Sequence, residues 1–219
     1  MNNQVLVVAA HPDDEWLGCG GTILKHLDAG DDVHALFMCD GFSSRKEKLN
    51  AESRNNKTIE LMEKINAKPP IFLDFPDNEL DSISRLDVIK KIEEIKERID
   101  PDIVYTHFLH DMNIDHKIVS ECVHTAFRPL PLSKCKSIFQ FEVLSSTEWS
   151  MNENFSPNMY TDISKYIDLK LEYLQYYIDE MRPSPHARSF KNVKNLSSFR
   201  GNTVGSEYSE AFIISRLIT

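Results

Sequence analysis

Cysteine is scarce in this chain: Cys19, Cys39, Cys122 and Cys135 are the four among 219 residues, and no two stand in a C-x-x-C pair. That spacing excludes a zinc ribbon or finger, and so sparse a set in a chain of this size excludes a disulfide scaffold, which points to reduced thiols and a cytoplasmic setting. Positive charge is also in deficit, with 25 Lys and Arg against 34 Asp and Glu and a formal net charge of -9. A surface built to hold nucleic acid or an anionic membrane is therefore not expected, because phosphate binding rests on a basic excess. Long apolar runs are missing as well. None reaches the roughly 18 residues needed to span a bilayer, and Met1-Asn-Asn-Gln leads straight into the first apolar stretch with no basic segment before it. With 41% hydrophobic and 10% aromatic residues, the chain suits one substantial core, read as a single domain over 1–219.

What is present is an alternation. Short apolar runs at Gln4 to Ala10, Val33 to Cys39, Ile71 to Phe75 and Ile103 to His107 are each followed by a segment with helical character. The helical segments run from Leu17 to Leu27 (closed by Gly30), roughly Glu47 to Ile65, Ser84 to Ile99 (closed by Pro101) and Asp115 to Phe127. Strands alternating with helices predict right-handed parallel βαβ units with helices on both sheet faces, an α/β three-layer Rossmann-like sandwich. The second half is less regular, with expected strands at Ile138 to Val143 and Ala211 to Ser215, a helix at Asp162 to Met181, and a two-proline loop from Pro183 to Arg188. In such sheets ligands collect beyond the carboxyl ends of the strands, where strand order reverses. Three polar turns fall there: His11 to Glu15, Asp40 to Arg45 and Phe108 to Asp115.

The first of these turns carries the chemistry. In Val5-Leu-Val-Val-Ala-Ala-His-Pro-Asp-Asp-Glu15 a buried-strand pattern runs without a spacer into an imidazole and three adjacent carboxylates. Three neighbouring carboxylates repel one another unless a cation or hydrogen bonds offset them, and a helix start compensates only part of this. A turn can bring His11 and Asp14 onto one point. A third ligand is available from Thr106-His-Phe-Leu-His-Asp-Met-Asn-Ile-Asp-His116, which holds three histidines. Two neutral imidazoles, one carboxylate and an open position make a catalytic zinc set, although the same donors suit Fe(II). Asp13, beside the proposed ligand and not needed as one, is placed to act as general base. The bland reading of His-Pro-Asp is a turn with a helix cap, and it leaves the second His- and Asp-rich loop unexplained.

At these two loops the sequence resembles the LmbE/PIG-L family of zinc-dependent deacetylases acting on N-acetylglucosamine-containing molecules. Ala10-His-Pro-Asp-Asp-Glu15 with Gly18-Cys-Gly-Gly21, and Asp115-His116, carry the resemblance. Asp40-Gly41, Arg54, Phe75-Pro-Asp-Asn-Glu-Leu80, Arg200-Gly and Tyr208-Ser-Glu-Ala-Phe212 extend it over nearly the whole chain. It implies the LmbE-like deacetylase fold, a Zn2+ cofactor held by His11, Asp14 and His116, Asp13 as general base and Arg54 in contact with substrate. The implied partner is a small N-acetylated sugar conjugate, and relatives assemble as trimers or hexamers. One position departs. Many members carry a histidine where this chain has Asn113, and an asparagine amide can donate to an oxyanion but cannot deliver a proton. The proton donor to the leaving amine is then open: Asp13, once protonated, can return its proton, or His110 or His107, each also a candidate to touch substrate, can assist. Asp115 is left to orient Asn113 or to support a zinc ligand.

Other residues have ordinary readings beside functional ones: His186 as pocket rim or surface, Trp16 as helix packing, Trp149 as a sugar-stacking face, Arg200 as a partner of nearby carboxylates. Two rival functions were weighed. A nucleotide-binding oxidoreductase, suggested by Gly18-Cys-Gly-Gly21 and Asp40, fails because charge fills the turn where pyrophosphate would sit. A sugar-binding protein of the same family without turnover keeps the metal and releases no acetate.

Overall fold

The computed structural model describes residues 2–39, 50–151 and 153–219. One seven-stranded sheet organises the chain, in the order β3-β2-β1-β4-β5-β7-β6. Its strands are β1 (Gln4–Ala9), β2 (Asp32–Cys39), β3 (Ile71–Phe75), β4 (Ile103–His107), β5 (Ser137–Phe141), β6 (Met159–Asp162) and β7 (Ser209–Leu217). The first five run parallel, and β7 lies antiparallel to both β5 and β6. The helices are α1 (Asp14–Asp28), α2 (Asn50–Lys64), α3 (Arg85–Ile99), α4 (Ile114–Ala126), α5 (Ile167–Tyr173) and α6 (Phe190–Asn202).

Alternation along β1 divides the core. Val5, Val7 and Ala9 join one apolar cluster with residues of α1, α2 and the C-terminal helices, while Leu6, Val8 and Ala10 join another with residues of α3 and α4. A strand buried on both faces reads as a continuous apolar run, as the sequence does here. The expected three-layer α/β architecture is therefore present. Strand order reverses between β1 and β4, so the turns leaving these two strands flank the crevice where such sheets bind ligands.

Helix α1 is two helices joined at a kink. Cys19 leaves helical geometry (φ -145°, ψ 23°), and the freed N–H groups of Gly21 and Thr22 donate to the Glu210 carboxylate at 2.8 and 2.7 Å. The same carboxylate accepts from Lys170 Nζ at 2.6 Å, a buried ion pair that also reaches Leu17 O at 2.9 Å. A β-carbon added at Gly18 would lie 2.3 Å from Phe141 Cδ2, so this glycine lets α1 lie directly on β5. The glycine cluster thus serves packing, in keeping with the rejected dinucleotide reading.

The second half departs from expectation in two places. The helix expected over Asp162–Met181 starts only at Ile167, because residues 159–162 form β6 on the sheet edge, and its last turns tighten to a 3-10 helix, Leu174–Glu180. Nothing in the sequence pattern marked α6. Its buried stripe is Val193, Ser197 and Gly201, a four-residue spacing in which two members are small and not apolar. The expected turn Asp40 to Arg45, including Asp40-Gly41, lies outside the described residues. No helix among the described residues is long and apolar enough to cross a membrane, and all four cysteines are free and buried.

Glu210→Ala should leave Lys170 as an uncompensated buried charge and release the cap of the second half of α1. The expected loss is about 3–5 kcal/mol, read from urea unfolding. A loss under about 1 kcal/mol would remove the pair from the account of α1.

Candidate active site

The end of β1 is pinned before the functional turn begins. Ala10 donates its N–H to His107 Nε2 at 2.8 Å, and its carbonyl accepts from Cys39 N at 2.9 Å, so β4 and β2 hold it from both sides. The chain then turns through His11-Pro12-Asp13, with Asp13 at φ 121°, a strained backbone for a residue with a β-carbon. Strain of that kind persists where the surroundings impose it. Here they do so through both oxygens of the Asp13 carboxylate, which accept from Arg54 Nη2 at 2.9 Å and Arg188 Nη1 at 2.6 Å.

Asp14, His11 and His116 converge. His11 Nδ1 and His116 Nε2 each lie 3.2 Å from Asp14 Oδ2, and one donor atom from each of the three residues lies within 4.8 Å of the others. The His116 Nε2–Asp14 approach lacks hydrogen-bond geometry, and both His116 Nε2 and Asp14 Oδ1 are buried with no hydrogen-bond partner among the described residues. Buried polar atoms are rarely left so, and two orphaned ligand atoms on converging side chains fit a divalent cation.

Each imidazole is held from behind by carboxylates. His11 Nε2 faces Asp115 Oδ2 at 3.0 Å and Asp77 Oδ1 at 2.9 Å, while His116 Nδ1 faces Asp111 Oδ1 at 3.2 Å. Asp111 is fixed in turn by the hydroxyls of Ser146 and of Thr147, the latter at 2.5 Å. Asp115 accepts from the backbone N–H groups of Asn78 and Leu80 at 2.7 and 3.1 Å. Carboxylate–imidazole support of this kind fixes ring orientation and tautomer at metal sites.

The electrostatics follow from burial and pairing. Burial opposes charge on His116, and the carboxylates of Asp14 and Asp111 overcome it, raising the imidazole to about 9. Burial likewise resists ionisation of Asp111, but hydrogen bonds from His116, Ser146 and Thr147 prevail and bring it to about 2. For Asp13 the balance falls the other way: burial keeps its carboxyl above the usual carboxylate range against the pull of Arg188 and Arg54. Glu15 is pushed by burial to about 8, although the Tyr177 hydroxyl donates to it at 2.5 Å, so this third carboxyl is largely protonated at neutral pH.

The structure sorts the remaining expected residues. Arg54 lies on Asp13. Asp115 supports His11 through its carboxylate and does not orient the Asn113 side chain. Asn113 is the N-cap of α4: its Oδ1 accepts from the N–H groups of Asp115 and His116 at 2.8 and 3.3 Å, and its Nδ2 faces Asn78 Oδ1 at 3.3 Å. Its Oδ1 is thus committed to the helix cap, while its Nδ2 turns one of two N–H groups to the loop after β3. His110 stands at the surface, paired with Glu153 at 3.2 Å. His107 stacks on His116 with ring centroids 3.9 Å apart. His186 accepts from the N–H of Arg188, Arg200 makes a two-pronged pair with Glu142, and Trp16 is fully buried in the core. Trp149 is 54% exposed.

Three supporting residues escaped the sequence reading. Asp111 and Asp77 sit in stretches already singled out, and the need of each histidine for a carboxylate behind it was the signal available. Arg188 ends the two-proline loop that the sequence offered as one side of a pocket, but its contact with Asp13 spans 175 positions.

A buried His-Asp-His set that could hold a metal ion, with an adjacent carboxylate, thus stands at the switch point of a parallel α/β sheet, where such folds bind their ligands. The family model described as PIG-L, GlcNAc-PI de-N-acetylase, matches residues 6–127, and the chain belongs to that family and is a hydrolytic deacetylase. It is 27% identical over 182 residues to the probable N-acetyl-alpha-D-glucosaminyl L-malate deacetylase 2 of Bacillus cereus, covering 78% of this chain and 80% of the relative. Among solved structures it resembles N,N'-diacetylchitobiose deacetylase from Pyrococcus horikoshii (TM-score 0.78, 23% identity, 97% of this chain and 83% of the other). It resembles equally the hydratase GalB from Pseudomonas putida (TM-score 0.78, 20% identity, 100% and 98%), so the fold alone does not choose the reaction.

Removing the carboxylate behind one histidine should weaken metal binding without abolishing it. Asp111→Ala is expected to lower Zn2+ affinity by about 10–100-fold in competition with a chromophoric chelator, and unchanged affinity would contradict the support assigned to Asp111.

Proposed function

We propose that this deacetylase is zinc-dependent and removes the acetyl group from an N-acetylglucosamine-type sugar conjugate, with Asp13 as general base. The observation that carries the reading is one arrangement: the His11, Asp14 and His116 donors converge on orphaned atoms, and the Asp13 carboxylate adjoins them without belonging to the ligand set. The amino-sugar substrate is supported by the family description and by the substrates named for the Bacillus and Pyrococcus proteins.

When bound by His11, Asp14 and His116, a zinc ion supplies Lewis acidity, acidifying water and polarising a carbonyl. The protein does the rest. Asp13 takes the proton from the attacking water; its strained backbone and two arginines hold it at one orientation, and burial keeps it more basic than a solvated carboxylate. The same carboxyl returns that proton to the amide nitrogen as the C–N bond breaks, which yields acetate and a free amine. This return removes the need for a second acid. Asp115 and Asp77 keep His11 in one tautomer, and Asp111 does so for His116.

A family-like sugar-binding protein without turnover remains the alternative, and Asn113 is the observation behind it. The assay that separates the two measures zinc content and primary-amine release on a panel of N-acetyl sugars. Asp13→Ala is expected to retain one equivalent of zinc and to lose at least about 100-fold in kcat, the usual worth of a positioned base. His11→Ala is expected to lose the metal. Parental turnover in Asp13→Ala would overturn the mechanism.

A further inference from the structure

Asn113 stands at the α4 cap with its Oδ1 engaged by backbone N–H groups and its Nδ2 turned to Asn78, whereas a permanently charged donor stands directly on the Asp13 carboxylate. We infer that this donor, Arg188, carried by the loop after the 3-10 helix Leu174–Glu180, serves the oxyanion: its guanidinium both fixes Asp13 and stabilises the negative charge developing on the acetyl oxygen when the amide carbonyl is attacked. This assignment rests on the deacetylase mechanism above and adds a catalytic residue to it.

The guanidinium is fixed by three hydrogen bonds at two of its nitrogens. Nε donates to Leu144 O at 3.1 Å and to Ser145 Oγ at 2.7 Å, and Nη1 donates to Asp13 Oδ2 at 2.6 Å. The backbone N–H of Arg188 donates to His186 Nδ1 at 3.0 Å, and its carbonyl accepts from Arg182 N at 3.0 Å, so the loop beneath it is tied down too. Nη2 makes no hydrogen bond among the described residues. It lies 3.9 Å from Asp14 Oδ1, the ligand oxygen that has no hydrogen-bond partner of its own. A cation with two uncommitted N–H groups therefore faces the space between the general base and the metal ligands. That space is where the carbonyl under attack must lie if Asp13 is to deliver the water.

Arg54 is placed differently. It bonds Pro12 O and Asp13 Oδ1 and approaches Glu180 at 3.7 Å. Arg188 bonds Asp13 and approaches Asp14, and so spans the two carboxylates.

Electrostatic stabilisation of an oxyanion needs donors already aimed at it, because reorganisation in the transition state consumes the gain. Arg188 meets this requirement: its position is set in advance by Leu144, Ser145 and Asp13. No proton leaves the guanidinium. The water proton travels to Asp13 and on to the amine, while Arg188 only balances charge that appears on oxygen and vanishes as acetate departs.

The test uses the zinc-loaded full chain. Arg188→Ala should lower kcat on N-acetyl sugars by about 100-fold with KM nearly unchanged, the expected consequence of losing one oxyanion donor. Added guanidinium chloride at millimolar concentration should restore part of that rate, and Arg188→Lys should fall between the two. Acetate affinity, measured by calorimetry on the same proteins, should weaken in Arg188→Ala, since the product carboxylate presents an oxygen anion at the same place. Parental kcat in Arg188→Ala would overturn the proposal, and so would a loss that guanidinium does not rescue in a variant with normal zinc content and melting temperature. If the wild-type protein releases no amine from any sugar, the deacetylase reading falls, and acetate then decides Arg188 alone: weaker binding in the alanine variant upholds its anion contact, and equal binding refutes it.

Discussion

Asp13, Asp14 and Glu15 are exposed by 1%, 0% and 0%, and burying three adjacent carboxyl groups is prohibitive unless each is answered locally. Each is answered by a different means. Asp13 lies between two guanidinium groups. Asp14 is approached by imidazoles, which are either protonated or share a metal with it. Glu15 keeps its proton and takes the Tyr177 hydroxyl. The answering residues stand at positions 54, 116, 177 and 188, so the compensation of one tripeptide draws together α2, α4, the 3-10 helix and the loop that follows it.

The same demand explains why the site is layered. An imidazole free to rotate would neutralise Asp14 in several orientations. The carboxylates of Asp111, Asp115 and Asp77 leave it one, because each accepts from the ring nitrogen that points away from Asp14. Those carboxylates are fixed by backbone N–H groups and hydroxyls of the loops after β3 and β5. Order passes outward from the ligand atoms to the loops, and a site built this way keeps its shape before substrate arrives. On the opposite side, the Lys170–Glu210 pair fixes the kink of α1, and with it the direction in which the first turn presents Asp13 and Asp14.

Parallel strands and their helices were legible in the sequence because a strand buried on both faces must be apolar along its length, as β1 is, and because apolar runs at β2 to β4 alternate with helical segments. The edge strand β6 and the helix α6 were not. Four residues on an edge need no apolar run, and a helix that buries Val193, Ser197 and Gly201 shows no hydrophobic stripe. In the site, His11 and Asp14 were legible because three residues of one turn determine their proximity, and His116 followed from the Asp115-His116 pattern. For Asn113 the sequence showed a polar residue near the chemistry, and the structure adds that its Oδ1 caps α4.

The sequence by itself determined the kinds of group available and the short-range geometry: a turn with an imidazole and three adjacent carboxyl groups, and a strand to carry them. Only the tertiary structure decided which distant residues complete the electrostatics, and that Arg188 pairs with Asp13. The reason is physical. Periodicity and local spacing encode contacts within a turn or along one element, whereas a charge pair between positions 13 and 188 costs and gains its free energy only after the sheet has closed and excluded water from both partners.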